Sequence, residues 1–149
     1  MKQVIKALTP NPYSNVRYLC HAVKAGSRDA ILTLGRWYAY SGIVSRDTVV
    51  VPVPQHTGRA TYMLAVAEEI RRLTGCAIAD VLRCVPRKPA YDLKQNNKFT
   101  EAGIYCVRPL SCPCLIIDNV ADTWKTINSC RRLLPQAEAA PFAITGGDR

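Results

Sequence analysis

The stretch Cys114-Leu115-Ile116-Ile117-Asp118-Asn119-Val120-Ala121-Asp122-Thr123-Trp124-Lys125-Thr126 most narrows what this chain can fold into. Leu115, Ile116 and Ile117 form a short apolar run, rich in β-branched side chains, that suits one buried parallel strand. The run ends in Asp118 and Asn119, and a small polar loop follows. Ile127, Cys130 and Leu134 then fall on one face of a helix that Pro135 stops. Strand, acid at its carboxyl end, hydroxyl-bearing loop and helix start are how α/β proteins build an anion site. The backbone N–H groups of the loop and of the helix amino end point at a phosphate. The acid at the strand tip reaches hydroxyls or a metal on the same ligand. Without a ligand, the same pattern is a plain strand–loop–helix connection.

A second unit of this kind lies upstream, in Thr48-Val49-Val50-Val51-Pro52-Val53-Pro54-Gln55-His56-Thr57-Gly58-Arg59. The valines read as a buried strand, and Pro52 and Pro54, which cannot donate to a ladder, end it. Met63, Val66, Ile70 and Leu73 mark the next helix, which Gly75 closes. Gly58 lets backbone approach a ligand closely, and Arg59 supplies a cation, which is what a bound anion needs.

The remaining pattern is α/β. Residues 1–12 read as a lead-in broken by Pro10 and Pro12. A helix carries Val16, Leu19, Cys20 and Val23 up to Gly26, with His21 as a surface or packing residue. Ser27 opens a helix striped by Ile31, Leu34 and Tyr38. Ala77 to Val85 alternates loosely and reads as one strand, Ala102 to Val107 as another, and Ala139 to Thr145 as the last. From Pro86 to Thr100 the period stops in a basic, polar stretch of the length that functional loops have.

The two units resemble the type I phosphoribosyltransferases, and Val51-Pro52-Val53-Pro54 followed by His56 and Arg59 looks like their ComF-like branch. The resemblance spans roughly residues 18–145, most strongly 49–59 and 115–130. Asp118, Val120, Ala121, Asp122, Thr123 and Thr126 keep the phosphoribosyl pyrophosphate (PRPP) motif. Asn119 stands where the family has a second acid, keeping a hydroxyl contact but losing a charge, and Trp124 stands where it has a small residue. Tryptophan does not take positive φ as cheaply as glycine, so the loop must change shape or carry strain.

The resemblance implies one domain over residues 1–149: a twisted, mainly parallel sheet flanked by helices, with a small N-terminal hood. It implies PRPP bound with Mg2+ and phosphoribosyl transfer to a base nitrogen with release of pyrophosphate. Asp118 and Asn119 would hold the ribose hydroxyls, with magnesium nearby. Asp122, Thr123, Trp124, Lys125 and Thr126 would hold the 5′-phosphate, and Gln55, His56, Thr57, Gly58 and Arg59 the pyrophosphate. Arg87, Lys88, Lys94 and Lys98 would lie on a flexible loop that closes over the substrate. A different expectation is a non-catalytic member of the fold that binds nucleotide or nucleic acid, since ComF-like proteins are associated with DNA uptake.

Charge and cysteine content bear on these readings. The net charge of +9, from 20 basic and 11 acidic side chains, suits a polyanionic partner, phosphorylated small molecule or nucleic acid alike. No run of about 18 apolar residues occurs, so no spanning helix is expected. The amino terminus carries no apolar segment of secretory length, so the expected location is the cytoplasm. The 7 cysteines are scattered, as small buried hydrophobes would be. Cys84, Cys106, Cys112 and Cys114 would form a zinc site only if the fold gathered them. Monomer and homodimer are both open.

Overall fold

The computed structural model describes residues 9–86 and 103–145. In chain order these form β1 (Asn11–Pro12), α1 (Tyr13–Lys24), α2 (Arg28–Ala39), β2 (Val49–Pro52) and α3 (Tyr62–Thr74). Then come β3 (Ala77–Ile78), β4 (Leu82–Cys84), β5 (Ile104–Cys106), β6 (Cys114–Ala121), α4 (Lys125–Leu133) and β7 (Ala137–Ile144). The protein is α/β. Its 5-stranded sheet runs β1-β7-β6-β2-β3, and every pair in it is parallel.

Helices cover both faces, which is why the central strands read as continuous apolar runs rather than as alternating ones. On one face Val50, Leu115, Ile117, Ala140 and Phe142 pack against α1, α2 and α3 through Cys20, Val23, Leu34, Tyr38, Met63, Val66 and Ile70. On the other, Val51, Ile116 and Ala139 pack against Ile127, Cys130 and Leu134 of the α4 region and against Leu82 and Ile104. Ile116 and Ile117 are fully buried on opposite faces of β6, and each contributes about 1.5–3 kcal/mol by leaving water. The segment expected to be an N-terminal hood is thus part of a helical layer: α1 and α2 lie on the sheet beside α3.

The helix limits follow local chemistry. Ser27 caps α2, its Oγ accepting from the Ala30 N–H at 3.4 Å. Gly75 ends α3 at φ 78°, a left-handed position where a Cβ is costly. Helices α2 and α3 approach closely at Gly35, where an added Cβ would lie 2.5 Å from the Glu69 Cγ.

Three strand expectations change. Ala77 to Val85 is not one strand. Ala77 and Ile78 pair with Val49 and Val50 at the sheet edge, and the Ala79 N–H makes a last bond to the Val50 carbonyl at 2.9 Å. The chain then leaves the sheet, braced by an Arg83–Asp80 ion pair at 3.1 Å, and Leu82–Cys84 pairs antiparallel with β5. β7 begins at Ala137, two residues earlier than its β-branched end suggests. The lead-in contributes β1, which pairs with Ala143 and Ile144 while the Asn11 Nδ2 donates to the Phe142 carbonyl at 3.0 Å.

Pro141 lies within β7 opposite Asp118 and has no N–H to give the ladder. The Tyr38 hydroxyl is set against that seam. It donates to the Ala140 carbonyl and lies 3.1 Å from the Asp118 carbonyl. Among the described residues no helix is long and apolar enough to cross a membrane.

Candidate functional site

Sheet order places the site. From β2 the chain crosses through α3 to β3 on one side, and from β6 it crosses through α4 to β7 on the other. The connections diverge between β2 and β6, on opposite faces of the sheet. Such a divergence opens a crevice at the carboxyl ends of the strands, where ligands of open α/β sheets bind. The register Val51↔Ile116 and Pro52↔Ile117 brings the loops after β2 and β6 to that same edge.

A cleft of about 350 Å³ opens at this edge, lined by Asp118, Asn119, Val120 and Asp122 of the β6 end, by Tyr13, Cys20, His21 and Lys24 of α1, and by Tyr62 and Thr145. Its size is that of a small-molecule site. Asp118 is buried, and its Oδ1 accepts from the Asn119 N–H at 2.7 Å. Burial pushes this carboxyl up to about 7, against the opposing pull of that N–H. The same desolvation, helped by the Asp118 charge, pushes the Tyr62 hydroxyl up to about 12.

Asn119 holds α1 against the strand. Its Nδ2 donates to the Cys20 carbonyl at 3.0 Å, leaving Oδ1 buried without a partner. A buried amide oxygen in that state costs about 1–3 kcal/mol, and a ligand hydroxyl or a hydrated cation would satisfy it. Magnesium commonly takes one or two carboxylates from a protein and the rest of its ligands from substrate phosphates and water. Asp118 with the Asn119 Oδ1 fits that role. No group of three or more His, Cys, Asp and Glu among the described residues is placed to hold a metal by itself. The conditional zinc set of Cys84, Cys106, Cys112 and Cys114 is therefore not assembled among the described residues: Cys84 and Cys114 are buried, Cys106 and Cys112 half-buried.

The loop after β6 continues the site. Asp122 lines the cleft and accepts a hydrogen bond from the Thr145 hydroxyl. Thr123 and Lys125 are exposed, Trp124 and Thr126 half-buried. Trp124 caps α4 without a side-chain capping bond, and no acid stands in the first turn of that helix. At this amino end the Lys125 N–H donates to the Thr123 Oγ1 at 3.4 Å, and the positive end of the helix dipole has no acidic side chain in the first turn. Among the described residues Trp124 is the one non-glycine with positive φ, at 65°. The loop keeps the left-handed turn that a glycine takes easily, and tryptophan bears a strain of about 1–2 kcal/mol there. Its ring packs on the second core cluster, with Nε1 buried and unpartnered.

The loop after β2 is a closed turn. The Gln55 N–H donates to the Arg59 carbonyl at 3.1 Å and the Gly58 N–H to the Gln55 carbonyl at 3.0 Å. Gly58 sits at φ 134°, and its carbonyl accepts from the Cys84 N–H at 2.7 Å, which ties the turn to β4. The Gln55 Oε1 accepts from the N–H of Tyr62 at 3.4 Å and so links this turn to the cleft wall. His56, Thr57 and Arg59 are exposed. Arg59 lies 3.9 Å from Asp80 with its side chain 70% exposed, a pairing weak enough to release the guanidinium to a ligand. Arg87, Lys88, Lys94 and Lys98 lie outside the described residues.

Sequence reasoning missed the α1 wall. Tyr13 and His21 share a hydrogen bond of 2.9 Å across the cleft mouth, and Lys24 stands one turn beyond. The spacing of Cys20, His21 and Lys24 places them along one side of a helix, but only the fold turns that side toward β6. The chain matches no protein-family model and no curated protein.

Proposed function

We propose that the chain binds PRPP at the carboxyl ends of β2 and β6 and transfers its phosphoribosyl group to a base nitrogen, in the manner of a type I phosphoribosyltransferase. The observation that carries this reading is Asp118 beside the partnerless Asn119 Oδ1, lining a cleft next to a helix amino end that has no acid in its first turn. Asp118 and Asn119 receive the ribose hydroxyls. The loop from Asp122 to Thr126 and the start of α4 receive the 5′-phosphate. Gln55 to Arg59 receive the pyrophosphate, with Arg59 as cation. Magnesium held near Asp118 and the Asn119 Oδ1 would supply positive charge to the departing pyrophosphate.

The reaction breaks the C1–O bond, whose electrons leave with pyrophosphate, and forms a C1–N bond to the base, which gives up a proton. Positive charge develops on the ribose ring as the bond loosens, and the carboxylate of Asp118 stabilises it. No side-chain nucleophile is needed, and catalysis comes from positioning and charge. The test is pyrophosphate release from PRPP with magnesium across a set of nucleobases. Release that Asp118→Asn lowers at least a hundredfold supports the proposal, and no release with any base removes it.

A second reading is nucleic-acid binding. Tyr18 is 87% exposed and stands with Arg17, Ser14, Asn15 and His21 around a groove of about 560 Å³ on α1. An exposed ring beside a cation suits a stacked base and its phosphate. Binding of a single-stranded oligonucleotide that falls steeply with salt and ignores Asp118→Asn would favour this reading.

A further inference from the structure

The opposite edge of the sheet carries a second cleft, of about 210 Å³, lined by residues at or next to the amino ends of β2, β6 and β7. Its walls are Ile43, Val49, Pro113 and Leu115 on the apolar side and Ser45, Asp47, Thr48 and Glu138 on the polar side, with Cys114 between them. Burial pushes the Cys114 thiol up to about 11, so that part of the wall is neutral. No Lys, Arg or His stands among these lining residues, although the whole chain carries a net charge of +9.

Glu138 is the odd member. It pairs with Leu115 inside the parallel ladder and is only 5% exposed. Its Oε1 is buried and has no hydrogen-bond partner. A buried carboxyl group whose oxygen lacks a hydrogen bond or a cation is costly for a fold to keep. The other buried glutamate, Glu69, shows the usual solution: Arg72 donates to it at 2.8 and 2.7 Å and holds its carboxyl below the ordinary range. Glu138 has no such partner among the described residues, and it borders an open cleft.

We propose that this cleft binds a small organic ammonium ion, whose charge meets Glu138 and Asp47 and whose short hydrocarbon body lies on Ile43, Val49, Pro113 and Leu115. The donor set decides the class. Asp47, Cys114 and Glu138 line the cleft but are not placed to hold a metal together, since no group of three or more His, Cys, Asp and Glu is so placed among the described residues. An anion would meet two carboxylates. At about 30 Å³ per water-sized group the cleft of about 210 Å³ has room for roughly seven such groups, enough for a primary amine with a four- or five-carbon tail. The site is independent of the Asp118 cleft at the other end of the strands, so it stands whether or not the chain uses PRPP.

The experiment is amide NMR of the full-length protein titrated with n-butylammonium, with n-butanol and butyrate as neutral and anionic controls. Saturable shifts confined to 43–49, 113–115 and 137–139 are expected for the ammonium, with butanol and butyrate at least tenfold weaker. Glu138→Gln, which keeps the shape and removes the charge, weakens the ammonium at least tenfold. Should that variant fail to give a folded spectrum, Asp47→Asn, at an exposed position, weakens it at least threefold. Butanol binding as well as the ammonium, no shifts at these residues, or full affinity in either folded variant would overturn the proposal.

Discussion

Replacing Asp118 by asparagine should make the protein more stable, and only above about pH 4. The carboxyl ordinarily titrates at 3.8 and is pushed up to about 7 by burial in the fold. Its folded value therefore lies above its unfolded one, and between these pH values the folded state holds a proton that the unfolded state has lost. Stability falls as pH rises through that window and levels off above pH 7. At about 1.4 kcal/mol per tenfold in proton activity, the ionised carboxylate costs the fold about 4 kcal/mol.

The substituted amide would keep an oxygen for the Asn119 N–H, which now donates to the Asp118 Oδ1 at 2.7 Å. The two proteins should thus match near pH 4 and differ by up to about 4 kcal/mol at pH 8. The other titratable groups around the site are Tyr13, Cys20, His21, Lys24, Tyr38, Tyr62, Asp122 and Cys130. Both proteins carry all of them, so the difference isolates Asp118. Urea denaturation of each at pH 4, 5, 6, 7 and 8 reads it directly. Stability curves that stay parallel across the range would refute the reasoning. A substitution that raises stability while removing PRPP binding is the mark of a residue kept for function rather than for the fold.

Gly35→Ala should destabilise the protein by about 1–2 kcal/mol in urea denaturation, because the new methyl meets the Glu69 side chain at 2.5 and 2.8 Å and the crowding outweighs the gain in helix propensity. Tyr38→Phe should cost about 1–3 kcal/mol, since it removes the hydroxyl that serves the β6–β7 seam at Pro141; a Tm equal to that of the parent would contradict this role. Trp124→Ala should be less stable than Trp124→Gly by about 1 kcal/mol, because both lose the ring and only glycine accepts φ 65° freely; equal stabilities would mean that the turn is not strained.

The central strands were legible because their residues leave little choice. Val49 to Val51 and Leu115 to Ile117 are apolar runs rich in β-branched residues and bounded by proline or by polar turns, and the helices between them have clear stripes and stops. β1 was not legible: Asn11–Pro12 is a strand only because Ala143 and Ile144 offer it an edge. The break between β3 and β4 was hidden by a loose alternation that continues through Asp80, whose ion pair with Arg83 turns the chain. Asp118 and Asn119 could be named from their place after an apolar run. The bond from Asn119 to the Cys20 carbonyl could not, because it joins residues 99 positions apart. That same contact brings Tyr13, His21 and Lys24 over the cleft, so the wall that faces the ligand emerges only from tertiary packing.

The central claim is that Asp118 and Asn119 form the ribose end of a PRPP site. The most direct measurement is calorimetric titration of PRPP with magnesium into the wild-type chain and into Asp118→Ala. Saturable binding to the wild type, weakened at least a hundredfold in a variant that still unfolds cooperatively, is the predicted result. No heat of binding in the wild type, or equal affinity in the two proteins, would contradict it.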